Sequence, residues 1–288
     1  MKRGRPKPKA RKERAPAPMS SFLRKFFIAT LLAFLVFPLT LSRSSAGTGN
    51  AMNTATLLTR LSNALGGMGN IEKIHSLYFS WEFKTLAFES GEVTMPTTLL
   101  HEWVTSGGNQ RVEQRSSAGQ TEPILTVFST SSGSPEGWML VGDQGWPSGN
   151  STGAMQGPDL ERQISSAYWA SFAYLTSGGL PGKVSYKAVR GASYYLLKMD
   201  PNGGVPIRAY LNPKTFLPDK VEFGGDAWKT VEVLSDWKVF HGVRFPYAMT
   251  VRMFERGTWR GQGFYTLKQV RMNLTLSADL FKQPTPAL

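Results

Sequence analysis

The sequence predicts a mainly β (α+β) chain, a strongly curved antiparallel sheet partly covered by helices. Three observations lead there. Val243, Phe245, Tyr247, Met249, Val251 and Met253 alternate with Arg244, Pro246, Ala248, Thr250 and Arg252, and period-two alternation of this kind buries one face and wets the other. From Lys183 onward the pattern is strands and turns only. Only two longer segments carry helical spacing, and there is no regular βαβ alternation. A full barrel is the neighbouring solution.

The chain begins with a leader. Residues 1–46 hold 11 of the 33 Lys+Arg and one of the 20 Asp+Glu. The remaining 22 basic and 19 acidic side chains leave residues 47–288 close to neutral despite the formal charge of +13, so the domain has no electrostatic footprint for nucleic acid. Lys2 to Pro18 is a Lys/Arg/Pro tract. Phe26 to Ser42 is an uncharged run of 17 residues, and Ser44-Ser45-Ala46 supplies small residues before Gly47. This is the pattern of a secretory signal peptide, with Met19 placed where a signal of ordinary length would start. The uncharged run is also at the lower edge of the ~17–25 residues that span a bilayer, so an uncleaved inner-membrane anchor is the alternative. The expected organisation is leader 1–46 and one β-rich domain 47–288. With no cysteine, disulfides, acylation at a lipobox and thiolate zinc sites are excluded.

Leu57, Leu58, Leu61 and Leu65 predict a helix from Asn53 to Leu65, with Asn53 or Thr54 as N-cap and Gly66-Gly67 closing it. A short helical turn follows at Asn70 to Ile74. Leu77 to Phe88 reads as a strand with Leu77, Phe79, Trp81 and Phe83 on its apolar face. After the turn Glu89-Ser90-Gly91, the residues Val93, Met95, Leu99 and Trp103 share the apolar parity of the next strand, which Pro96 makes an edge or bulge. Gln110–Ser116, Ile124–Phe128 and Trp138–Val141 are further strands, and Gly142 to Pro158 is a glycine-rich loop. A second helix runs from Pro158 or Asp159 to Thr176, with Asp159 and Glu161 in its first turn and Gly178-Gly179 at its end. It carries an aromatic stripe that includes Tyr168, Trp169 and Phe172. Strands then follow at Val184–Val189, Tyr194–Met199, Val205–Leu211, Val221–Phe223, Trp228–Phe240, Val243–Met253 and Gly263–Leu276. Pro213, Pro218, Gly224-Gly225-Asp226 and His241-Gly242 mark the turns.

Catalytic chemistry is sparse. Gly149-Asn150-Ser151-Thr152-Gly153 matches G-x-S-x-G, and Asp236 and His241 follow in the order of a triad. A nucleophile elbow needs a buried strand before the serine and a helix directly after it, whereas here the helix starts beyond Gly157-Pro158. The motif is better read as a flexible Gly/Ser/Asn loop. His75, His101 and His241 are not at metal-ligand spacing, and no cofactor is expected. What remains is aromatic content: Trp81, Phe83, Trp103, Trp138, Trp169, Phe172, Trp237, Phe245 and Tyr247 lie on apolar faces. Aromatics often serve as plain core, but a curved sheet with few helices tends to leave an apolar concavity where hydrophobic ligands bind. These nine are the candidate cavity-lining residues.

Ala64-Leu65-Gly66-Gly67, followed by Ile71-Glu72-Lys73-Ile74 and a strand, resembles the mature start of the periplasmic outer-membrane lipoprotein-sorting carriers, the LolA/LolB-like superfamily. Tyr210-Leu211-Asn212-Pro213-Lys214-Thr215-Phe216-Leu217-Pro218 resembles that group's proline-bracketed turn. Ser235 to Pro246 resembles its long hairpin, and Asp279 to Pro284 its ending. The resemblance implies an unclosed antiparallel β-barrel with a helical lid around a cavity for acyl chains. The function expected from it is a non-enzymatic, exported carrier or binding protein for a lipid, lipoprotein acyl chain or other amphiphile in the bacterial periplasm. The expected partners are a lipid or acylated protein and envelope membrane proteins, met by a monomer. Behind this stand an envelope scaffold without ligand, and a secreted serine hydrolase using Ser151.

Overall fold

In a computed structural model, residues 52–88, 98–116, 124–141, 151–176 and 179–284 are described. The leader, the turn at Glu89-Ser90-Gly91 with Val93, Met95 and Pro96, and most of the glycine-rich loop lie outside them.

Helix α1 (Thr54–Leu65) is capped as its sequence demands. The Asn53 side chain accepts from the Thr56 N–H, and Gly66 closes the helix at φ 126°. Its Leu57, Leu61 and Leu65 are buried. The short α2 (Met68–Ile71) begins two residues earlier than its pattern suggests. Thirteen strands follow: β1 (Ser76–Phe88), β2 (Thr98–Thr105), β3 (Gln110–Ser116), β4 (Ile124–Ser129), β5 (Glu136–Val141), β6 (Ser151–Ala154), β7 (Gly182–Lys187), β8 (Tyr195–Pro201), β9 (Ile207–Leu211), β10 (Pro218–Gly224), β11 (Trp228–Phe240), β12 (Val243–Glu255) and β13 (Thr258–Met272). Helix α3 (Pro158–Ala170) lies between β6 and β7.

All thirteen strands form one antiparallel sheet in the order β6-β5-β4-β3-β2-β1-β13-β12-β11-β10-β9-β8-β7. The order is linear, so the sheet is open, as the curved-sheet expectation required. Its curvature follows from α3, which touches β4 and β5 near one edge and also β8 and β10 near the other. The core fills the concave side between α1, α3 and the sheet.

Besides α2 and β13, which begins at Thr258 rather than Gly263, two elements differ in kind from the sequence pattern. Helix α3 stops at Ala170 rather than running to Thr176. Phe172, at φ 57°, leaves the helical region and folds the aromatic stripe into a turn. Ser151–Ala154, read as loop, is instead an edge strand on β5 with Leu140 opposite Thr152, because pairing at a sheet edge overrides weak intrinsic propensity.

Candidate functional site

Strand parity decides which side chains face α3. Direct cross-strand pairs run Phe79–Glu102–Val112 over β1, β2 and β3, and Glu232 of β11 pairs with Val251 of β12. These residues share the concave face with Trp81, Phe83, Leu100, Val104 and Tyr265, all of them buried. Against them α3 presents Ser166, Trp169 and Ala170, and the turn after it presents Phe172 and Tyr174. Trp169 and Tyr174 stack at 4.8 Å between ring centroids. Between helix and sheet lies a cavity of about 100 Å³, closed at one side by Leu65 of α1 and at another by Pro218 and Phe223 of β10.

Five of the nine candidate residues line this cavity: Trp81, Trp169, Phe172, Trp237 and Phe245. Phe83 is on the same face but serves as core, stacked on Tyr265 at 4.6 Å. Trp103 and Trp138 are on the opposite face. The pairs Tyr78–Trp103, Trp103–Arg111, Arg111–Val127 and Val127–Trp138 trace that outer row. There Tyr78 Oη and His101 Nδ1 share a hydrogen bond of 2.7 Å. The C-terminal 3₁₀ turn Ala278–Phe281 packs on the same side, its Leu280 carbonyl accepting from Arg111 Nη1. The parity read through Leu99 and Trp103 is therefore reversed: Leu100, Glu102 and Val104 face inward, and Leu99 is 42% exposed. Tyr247 lies outside the cavity, with Lys238 Nζ over its ring at 3.1 Å. Trp237 reaches the cavity because Asp236, at φ 54°, breaks the alternation of β11 just before it.

The polar side of the site is made of residues the sequence did not single out. Glu102 and Glu232 line the cavity, each only 5% exposed. Gln110 Nε2 donates to Glu102 Oε1 at 2.5 Å and to Ser166 Oγ at 3.3 Å, while Gln163 Nε2 donates to Gln110 Oε1 at 2.6 Å. Gln110 thus ties a buried carboxyl to the lid helix. Burial raises the Glu102 carboxyl to about 7, opposed by the Gln110 hydrogen bond and, more weakly, by the nearby Trp81 indole. Glu232 is raised well above the usual carboxylate range by burial, and the negative charge of Glu102 adds to this. Among the described residues Glu232 takes part in no hydrogen bond or ion pair. The buried Trp81 Nε1, Trp237 Nε1 and Tyr265 Oη also lack a hydrogen bond of good geometry. Arg244, the one cation on the cavity wall among the described residues, donates from Nη1 to the Ala64 carbonyl at 2.6 Å.

The far side of α3 is tied to the β8–β9 turn. Val205 N–H donates to the Glu161 carbonyl and Ser165 Oγ donates to the Val205 carbonyl at 2.8 Å. Helix α3 is thus tied at both flanks of the concavity by a few polar contacts, in addition to the buried Ile164, Ala167 and Tyr168 that pack it into the core. Ser151 begins the outermost strand and no helix follows it directly; Asp236 and His241 sit in an exposed hairpin. Among the described residues no three His, Cys, Asp or Glu converge in a way that could hold a metal ion.

A solved LolA superfamily protein of Nitrosomonas europaea superposes with a TM-score of 0.51 at 12% identity, covering 81% of this chain and 98% of its own. The fold is LolA-like. A protein domain of Vibrio parahaemolyticus described as an outer-membrane lipoprotein-sorting domain gives a TM-score of 0.48 at 13% identity, covering 78% of this chain and 95% of its own. A DUF1329 family protein of Desulfovibrio piger gives 0.49 at 10% identity, with coverage of 80% and 97%. No family model and no curated protein matches the chain.

Proposed function

We propose that this chain is an exported, non-enzymatic carrier or binding protein that shelters the apolar part of a lipid, a lipoprotein acyl chain or another amphiphile in the bacterial periplasm. The observation that carries the reading is the apolar cavity between the aromatic end of α3 and the concave sheet. Each methylene withdrawn from water there contributes about 0.8 kcal/mol. At about 100 Å³ the cavity is smaller than the ~300–1,000 Å³ of small-molecule sites, so uptake requires α3 to swing outward from the sheet. Its polar tethers are side-chain and single backbone hydrogen bonds to Gln110 and Val205, each worth only about 1 kcal/mol net, while the buried Ile164, Ala167 and Tyr168 anchor its middle in the core, so the movement belongs chiefly to its aromatic end. Export is supported by the leader pattern at residues 26–46. Among the described residues no helix is long and apolar enough to cross a membrane.

The test is direct. Organic extracts of the purified protein are analysed by mass spectrometry, and fatty acids and phospholipids are titrated against a bound neutral probe, N-phenyl-1-naphthylamine. Recovery of a lipid, or its competition with the probe, is expected. Failure of both removes the carrier reading.

A further inference from the structure

Two carboxyl groups buried in an apolar wall are expensive to hold there, because an ionised group out of water costs several kcal/mol unless a partner offsets it. Glu102 has Gln110 as a donor, but Glu232 has no partner among the described residues, and neither has a Lys, Arg or His in contact. Arg244 is engaged by the Ala64 carbonyl. Trp81 is 6% exposed and lines the cavity beside Glu102, and its Nε1 makes no hydrogen bond of good geometry. The rings of Phe79, Trp81, Trp169 and Tyr174 line the same cavity as the two acids. Carboxylates framed by aromatic faces are the surroundings that favour an organic cation, through ion pairing and through the ring quadrupoles.

We propose that the polar end of this cavity binds a positively charged amine, seated between Glu102 and Glu232, so that the preferred ligand is a cationic amphiphile. The proposal rests on the reading of the cavity as an amphiphile site and specifies the head group that site accepts. The chain packs against the aromatic end of α3, and the ammonium supplies a positive charge at the two carboxyl groups, which the Arg244 guanidinium, turned to the Ala64 carbonyl, does not pair.

The experiment compares three ten-carbon ligands, decylamine, decanol and decanoate, each displacing N-phenyl-1-naphthylamine from the purified protein at pH 8. Decylamine is expected to bind at least tenfold more tightly than decanol, with decanoate weakest. In Glu102→Gln/Glu232→Gln, which keeps side-chain shape, the ratio of decylamine to decanol affinity should fall towards one. Equal affinities in the unmodified protein, or a preference for decylamine that survives in the variant, would overturn the head-group assignment while leaving the carrier reading intact. If neither the probe nor any of the three binds, both fall together.

Discussion

Replacing Glu102 by Gln separates the cost of the buried carboxyl from everything else in the wall. In the folded, ligand-free protein burial raises this group from 4.5 to about 7, whereas in the unfolded chain it titrates near its ordinary value. Between those two pH values the native state keeps a proton that the unfolded state has lost. Stability therefore falls as pH rises from about 4.5 to about 7 and remains lowered above that range. At 1.36 kcal/mol per pK unit the loss is roughly 3 kcal/mol. The carboxamide keeps an acceptor for Gln110 Nε2 but does not ionise. The two proteins should have similar stability at pH 4.5, and the variant should be roughly 3 kcal/mol more stable at pH 8. For a chain of this size that is a difference of roughly 6–12 °C in Tm. Glu232 shifts in the same direction, partly through the Glu102 charge, so Glu102→Gln also relieves part of that shift and widens the gap in the same sense. Urea unfolding followed by tryptophan fluorescence at pH 4.5, 6, 7 and 8 measures it. A gap that does not widen with pH, or a variant less stable at pH 8, would refute the account of the site.

Locking the lid tests its movement. A Cβ on Gly204 would stand 2.5 Å from Ser165 Oγ, so cysteines at the two positions would face each other and reach disulfide geometry after a small outward shift, and the chain has no cysteine of its own. Ser165→Cys/Gly204→Cys should lose probe uptake when oxidised and regain it on reduction; uptake unaffected by oxidation would show that α3 does not gate the cavity. Gly66→Ala should destabilise the fold by roughly 3 kcal/mol or more, because Gly66 sits at φ 126° with the Gly242 carbonyl oxygen 2.0 Å from where its Cβ would be; an unchanged urea midpoint would contradict this packing. Leu61→Ala, at a fully buried position of α1, should cost about 2–5 kcal/mol, and a loss under 1 kcal/mol by the same assay would mean that α1 is not part of the core.

The strand pattern was legible because alternation and turn chemistry are local properties. Trp228 to Phe240 and the α1 cap at Asn53 are read directly from the chain. The face of β2 was not, because its two parities are nearly balanced: Leu99 and Trp103 on one side, Leu100 and Val104 on the other. Only the register against Phe79 decides that Glu102 points inward. Glu232 was hidden for a similar reason. Thr230, Glu232 and Leu234 form the buried row of β11, while Val231 and Val233 make the outer row look like the core side. A polar residue in a buried row is what sequence periodicity assigns to solvent, so the part of the wall most informative about a ligand was the part the pattern concealed. The end of α3 at Ala170 escaped for a different reason. Nothing in Ser171-Phe172-Ala173 breaks a helix locally, and the turn at Phe172 comes from packing its ring against Phe245 at 6.1 Å.

The seam between β1 and β13 has a consequence for how the protein is made. Strands β2 to β6 extend one half of the sheet from β1 and strands β12 to β7 extend the other from β13, so the two halves meet along this single pairing. Its ends lie far apart in sequence, as the bond from the His75 N–H to Asn273 Oδ1 shows by closing a span of 198 residues. Closing so long a loop makes the contact intrinsically slow to form. A chain emerging from its N-terminus exposes the unpaired edge of β1, with its Phe79 and Trp81 side chains, until β13 arrives. During that interval the nascent chain is a target for holding factors and an aggregation hazard.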